Sequence, residues 1–237
     1  QAQTYAVHTS LVTPHSPYAL TKEVAPRYAF GEALVALGKE AHDVVVFDAE
    51  VSNSTHTDMF GHTYPTRFYE MFIAEQNMVS VATGMALRGK TPVVATFAAF
   101  LTRAFDQLRM ANYSNVSMII AGTHVGVSIG EDGPSQMGLE DIAMMRSLPG
   151  STVVYPADAT ASYKLLFELY AQQGIGYLRL GRGKVPVLYD FDTEFPIGGL
   201  HVWGDTNTTS EALIVAAGIT LHEALKAQKE LLDIHHI

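Results

Sequence analysis

One acid and one glycine-rich loop carry the residue types whose spacing suits chemistry. The acid is Glu75, in Phe72-Ile73-Ala74-Glu75-Gln76-Asn77-Met78-Val79, where a strand-like stretch gives way to helical spacing. A carboxylate in the first turn of a helix is favoured by the helix dipole, and that role alone explains many such acids. The apolar neighbours Phe72, Ile73, Met78 and Val79 act in the opposite sense, because desolvation favours a neutral acid able to share a proton with a ring nitrogen. The loop is Gly122-Thr123-His124-Val125-Gly126-Val127-Ser128-Ile129-Gly130-Glu131-Asp132-Gly133-Pro134-Ser135-Gln136. It holds four glycines, two acids, His124 and Gln136 within fifteen residues. So much glycine is entropically unfavourable unless backbone must approach something closely.

Other chemistries are excluded or weak. Gly126-Val127-Ser128-Ile129-Gly130 matches the nucleophile elbow of serine hydrolases, with Asp158 and His201 or His222 downstream. That elbow needs a helix immediately after the serine, and Gly130, Gly133 and Pro134 block one until about Leu139. Cysteine is absent, and the ten histidines contain no His-x-x-x-His pair, which leaves no thiolate site and no helical zinc pair. Neither G-x-x-x-x-G-K-S/T nor G-x-G-x-x-G occurs. The net charge of −9 excludes a broad cationic face for nucleic acid or anionic lipid, so any bound anion needs a local cluster. No apolar run approaches the ~18 residues of a membrane span, and the start has no basic-then-apolar signal. The expectation is a cytoplasmic enzyme, with Gln1 read as a trimmed start.

The elements that must position these residues alternate between two textures. Short apolar runs rich in β-branched residues lie at 44–47, 92–96, 118–121, 152–155 and 177–180. Helical periodicity occupies 26–39, 75–88, 103–115, 139–147 and 157–173. Continuous apolar strands alternating with helices predict an α/β fold, a mostly parallel sheet with helices on both faces. Ligands in such folds gather at the carboxyl ends of the strands, here the loops 48–66, 96–103 and 122–136. Asp158 after Pro156 suits a helix start, and Gly174 a helix end. The expected organisation is an extended lead-in over 1–20, one domain over 21–185, a linker over 186–210 rich in Gly, Pro, Asp and Thr, and a strand (212–216) and helix (220–232) opening an incomplete second domain over 211–237.

These segments resemble the pyrimidine-binding domain of transketolase. The resemblance rests on Ile73-Ala74-Glu75-Gln76-Asn77-Met78, on the 96–103 segment continuing into Ala104-Phe105-Asp106-Gln107, on 130–136, and on Tyr155-Pro156-Ala157-Asp158, and it runs from about Pro26 to the end. It implies that Glu75 bonds the pyrimidine N1′ of thiamine diphosphate, promoting the imino tautomer and thereby loss of the thiazolium C2 proton. It implies that Phe100 stacks on the pyrimidine, with Phe97 and Phe72 as pocket companions. His124, which counts among the catalytic residues, meets the donor sugar with Asp132 and Gln136. Arg27, Ser54 and Arg182 fall on the group that grips a sugar phosphate, a task suited to the planar guanidinium fork.

The family's diphosphate- and Mg²⁺-binding domain has no counterpart here, and Gly130-Glu131-Asp132-Gly133 is not its signature. The resemblance therefore implies the C-terminal subunit of a split transketolase, with Mg²⁺ held mainly by a partner chain in a homodimer or heterotetramer. Two related enzymes remain open. A 1-deoxyxylulose-5-phosphate synthase is disfavoured by Asn77, Ser135-Gln136 and Phe97-Ala98-Ala99-Phe100. The β subunit of a 2-oxo-acid dehydrogenase would not need Arg27, Ser54 and Arg182. A non-catalytic fragment or assembly subunit is the third alternative.

Overall fold

The computed structural model describes residues 18–204 and 211–235. In chain order it contains β1 (Glu23–Val24), α1 (Pro26–Glu40), β2 (Val44–Asp48), α2 (Ser52–Thr55), α3 (Asp58–Thr63), β3 (Phe68–Glu70), α4 (Glu75–Ala86) and β4 (Thr91–Phe97). Then come α5 (Phe105–Tyr113), β5 (Met118–Thr123), α6 (Asp141–Arg146), β6 (Thr152–Val154), α7 (Ala159–Ala171), β7 (Ile175–Arg179), β8 (Val185–Pro186) and α8 (Thr220–Glu230). Six strands form one parallel sheet in the order β3-β2-β4-β5-β7-β6.

Alternate residues of the central strands feed two separate cores. Val44, Val46, Val93, Ala95, Ile119 and Ala121 pack with Phe30, Leu34 and Leu37 of α1 and Tyr163, Leu166 and Phe167 of α7. Val45, Phe47, Val94, Met118 and Ile120 pack on the other face with Met78, Val79 and Ala82 of α4 and Leu108 and Ala111 of α5. That two-sided burial is why the strands read as unbroken apolar runs. Each large side chain so buried contributes roughly 1.5–3 kcal/mol.

Local chemistry sets the ends. Pro26 opens α1, where its missing N–H is no loss. Asp158 caps α7 by accepting from the Ala161 N–H at 2.8 Å, and its other oxygen accepts from Leu188 and Tyr189 N–H at 2.8 and 2.9 Å. β1 and β8 pair antiparallel, so the first and last strands of the domain clasp each other.

Several expectations need correction. The helix expected from 103 breaks into a 3-10 turn, Phe100–Ala104, followed by α5, because Ala104 leaves the helical region at φ −107°, ψ 15°. The edge strand β3 is only three residues long and has no sequence signal beyond two aromatics. Residues 212–216 join no sheet among the described residues. A strand needs a neighbour for its N–H and C=O groups, and none of the described residues offers one. The lead-in up to residue 17, the linker over 205–210 and the last two residues lie outside the described residues.

Two buried polar knots fasten the carboxyl edge. Asp141, first residue of α6, accepts from Tyr177 Oη at 2.7 Å and from Arg179 Nε at 2.7 Å, while Arg179 Nη2 donates to the Gly138 carbonyl at 3.1 Å. Asp48, last residue of β2, accepts from Val51 N–H, Thr55 Oγ1 and Thr57 Oγ1 at 2.7 to 2.8 Å, tying down the loop that follows. Burial pushes the Asp48 carboxyl up to about 6, against the opposing effect of those bonds. A proton held more tightly in the folded state stabilises it below the unfolded value of 3.8, and that stabilisation is lost as pH rises through about 6. Urea unfolding of wild type and Asp48→Asn between pH 4 and pH 6.5, roughly the window so defined, tests this. The difference in unfolding free energy is expected to move in the variant's favour as pH rises, and a constant difference would contradict the assignment.

Candidate active site

Strand order sets five loops side by side. β3 is followed by Glu75 and β2 by Ser54; β4 ends on Phe97 and is followed by Phe100 and Arg103, β5 by His124, Asp132 and Gln136, and β7 by Arg182. Arg27 enters from the first turn of α1. Six non-glycine residues among those described have left-handed φ. Four of them, Glu50, His56, Phe72 and His124, sit in these strand-end loops. Such backbone is strained and persists only where its surroundings hold it, so its gathering here points to a working site.

Glu75 is the first residue of α4 and only 3% exposed, above the buried Met78 and Val79. The other half of its expected apolar setting is absent: Phe72 and Ile73 are 65% and 73% exposed. The cause is the turn after β3. Phe72 adopts φ 55°, its N–H donates to Glu70 Oε1 at 3.0 Å, and its carbonyl accepts from Ala74 N–H at 2.8 Å. That turn directs the ring outward. Arg103 supplies the contact instead, with Nη1 2.5 Å from Glu75 Oε1.

The same guanidinium lies 4.6 Å from the centre of the Phe100 ring. Phe100 stacks on Phe97 at 5.1 Å and 15°, and Phe97 stacks on the His124 imidazole at 3.7 Å and 19°. A row of flat groups thus leads from the acid to the histidine, and Phe72 takes no part in it. The acid and the Phe100 face together accept a flat group with N–H donors on its edge. That is the chemistry of an aminopyrimidine, so the residues present fit that half of thiamine diphosphate.

The second cluster adjoins His124. Arg27 donates through Nη1 to the Ser54 carbonyl and through Nε to the Arg182 carbonyl, the latter at 3.2 Å. Ser54 therefore joins through its backbone. Arg182 donates to the Ile129 carbonyl at 2.7 Å and pairs with Asp132 at 3.4 Å and Glu131 at 3.7 Å. Arg27 is lowered by burial and by the neighbouring Arg182 charge. Burial, followed by Arg27, Arg182 and His56, lowers His124 to about 3, so its imidazole is neutral at neutral pH. Its Nδ1 meets Thr123 Oγ1 at 3.0 Å, which leaves Nε2 for a ligand. Gln136 ends a 3-10 turn in the same loop, and the structure does not bond its side chain to the others. The loop closes at Gly138, where a β-carbon would lie 2.5 Å from that of Ala98, so only glycine lets it reach the Phe97 loop.

Sequence reasoning gave Arg103, His56, Asp48 and the Asp141–Arg179 pair no role. Arg103 had a usable signal, since it lies three residues after Phe100 and such residues share one side of a helical turn. The rival hydrolase site does not form. A 3-10 turn, not an α-helix, follows Ser128, and both Asp158 oxygens are committed to backbone N–H groups. Among the described residues no group of three or more His, Asp or Glu is placed to hold a metal, and no helix is long and apolar enough to cross a membrane.

Comparison with known proteins identifies the family. Residues 22–187 match the model of the transketolase pyrimidine-binding domain. Transketolase-like protein 2 of Mus musculus is 47% identical over 215 residues, covering 90% of this chain and 34% of that protein. Transketolase of Homo sapiens is 44% identical, with the same coverage of each. A solved structure described as a split-gene transketolase, an inactive beta4 tetramer, superposes with TM-score 0.76 at 39% identity, covering 89% of this chain and 68% of that one. The chain thus spans about a third of the length of the curated relatives it matches. With a domain match over most of its length and relatives of this identity, the chain belongs to the transketolase family through its pyrimidine-binding domain.

Proposed function

We propose that this chain supplies the pyrimidine-activating and sugar-phosphate-binding half of a site that transfers two-carbon ketol units between sugar phosphates, with thiamine diphosphate as cofactor. One observation carries the reading: a stacked row of Phe100, Phe97 and His124 with a buried acid at one end and two arginines near the other. Thiamine diphosphate, when bound, supplies a thiazolium carbon that attacks carbonyls once deprotonated. Glu75 exchanges a proton at N1′ of the pyrimidine, and its burial shields that bond from water. Phe100, with Phe97 behind it, offers the ring face. His124 presents a neutral Nε2 to sugar hydroxyls, with Asp132 and Gln136 on the same loop. Arg27 and Arg182 take the phosphate, and an anion shared between two guanidinium groups offsets their mutual repulsion.

The diphosphate and Mg²⁺ are assigned to a partner chain carrying the family's other cofactor domain. A second reading has support in the similar structure described as an inactive beta4 tetramer: this chain alone self-associates and is inactive. Calorimetry with thiamine diphosphate and Mg²⁺, on the chain alone and then with a diphosphate-domain protein, separates the two. Tight binding by the isolated chain would rule out a shared site, and no ketol transfer by the mixture would favour the inactive assembly.

Glu75→Ala is expected to slow hydrogen–deuterium exchange at the cofactor's C2 by at least about a hundredfold while the fold stays intact. Undiminished exchange would remove Glu75 from the role. Arg182→Ala is expected to raise KM for phosphorylated sugars by an amount worth about 2–3 kcal/mol, with little change for unphosphorylated ones, and an equal effect on both would show that Arg182 does not touch phosphate. The His124 ring resonances are expected not to titrate between pH 5 and 8, a range about the usual imidazole midpoint. A midpoint inside that range, read by NMR, would contradict a neutral His124.

A further inference from the structure

Arg103 makes both contacts that the proposed function assigns to the aminopyrimidine. Its Nη1 lies 2.5 Å from Glu75 Oε1, and its guanidinium carbon lies 4.6 Å from the centre of the Phe100 ring. The chemical likeness is close. A guanidinium is a flat, delocalised cation with N–H donors along its edge and a face that stacks on aromatics. A pyrimidine protonated at N1′ and carrying an amino group is likewise flat, with N–H donors on its edge. Phe97 already stacks on Phe100, so that ring has one further face to offer, and Glu75 has few open directions at 3% exposure. That one free ring face cannot serve two such groups at once.

We infer that Arg103 is a resident stand-in for the aminopyrimidine, a latch on Glu75 and Phe100 that swings aside when thiamine diphosphate binds. The inference rests on the cofactor reading above. The placement suits a latch. The Arg103 side chain is 49% exposed, whereas its partner is buried, so the arginine is the member free to move into solvent. It stands at the end of the 3-10 turn Phe100–Ala104, and turning its side chain outward requires no change in the sheet. In the latched state it compensates a carboxylate that would otherwise lie buried without a partner. The two occupants of the Phe100 face are therefore exclusive, and cofactor capture moves the guanidinium off that face and breaks its ion pair.

The test uses this chain assembled with a diphosphate-domain protein at saturating Mg²⁺. Thiamine diphosphate association is followed by stopped-flow spectroscopy and its affinity by calorimetry, for wild type, Arg103→Met and Arg103→Lys. Arg103→Met is expected to associate faster and bind tighter by about tenfold, as befits the loss of one competing charge-assisted bond. Arg103→Lys, which keeps the charge without the plane, is expected to fall between them. Wild-type association is expected to quicken with added salt, which screens the half-exposed pair, and that of Arg103→Met is not. The arginine side-chain ¹⁵N signal of Arg103 in the wild type, which needs no variant to fold, is expected to shift at cofactor saturation. Equal or slower association and weaker affinity in Arg103→Met, or an unshifted Arg103 signal in the saturated wild type, would overturn the latch while leaving the cofactor reading intact. Failure of the assembled wild type to bind thiamine diphosphate would overturn both.

Discussion

Burial of the same strands on both faces is the constraint on which the site depends. A slip of β2 by one residue would exchange Val44 and Val46 for Val45 and Phe47, sending each of these side chains into the wrong core. Register is therefore held by two packed layers at once. The places where these strands end are held with it, and so are Phe97, the last residue of β4, and Glu75, His124 and Arg182 in the loops beyond strand ends. Precision at the carboxyl edge is inherited from packing beneath it.

Polar groups finish what packing begins. Asp48 and Asp141 are both buried, and each gathers several donors, Asp48 from the segment after β2 and Asp141 from β7. Removing either acid would strand hydroxyl, amide or guanidinium groups in a place with little water. The electrostatics are uneven by design of the fold. Two guanidinium groups stand beside a histidine that burial and their charges keep neutral, in a chain whose formal charge is −9. A local positive field inside an acidic protein can select an anion by place as well as by sign.

Much of this was legible in the residues. The apolar runs announced the parallel sheet, and the alternation with helices announced its two covered faces. The loop with His124, Asp132 and Gln136 stood out because so many glycines sit beside polar groups. What stayed hidden depended on distance along the chain. Arg103 meets an acid 28 positions away, and Arg179 meets one 38 away, pairings that only the assembled sheet creates. The outward direction of Phe72 was hidden too, because a bond to Glu70 sets the turn that carries it. Residues 212–216 misled, since β-branched composition is only half of a strand and the other half is a neighbour.

The clasp between β1 and β8 has a topological consequence. Thr21 N–H meets the Val187 carbonyl at 2.9 Å and Val187 N–H meets that of Lys22 at 3.0 Å, so the chain enters and leaves the domain at one point. Asp158 rivets the departing segment to the start of α7 through Leu188 and Tyr189. Among the described residues both sheets lie inside that gate, so the strand register is set by residues on its inner side. The domain is built as a cassette, its strand-end loops held from the inner side of that gate.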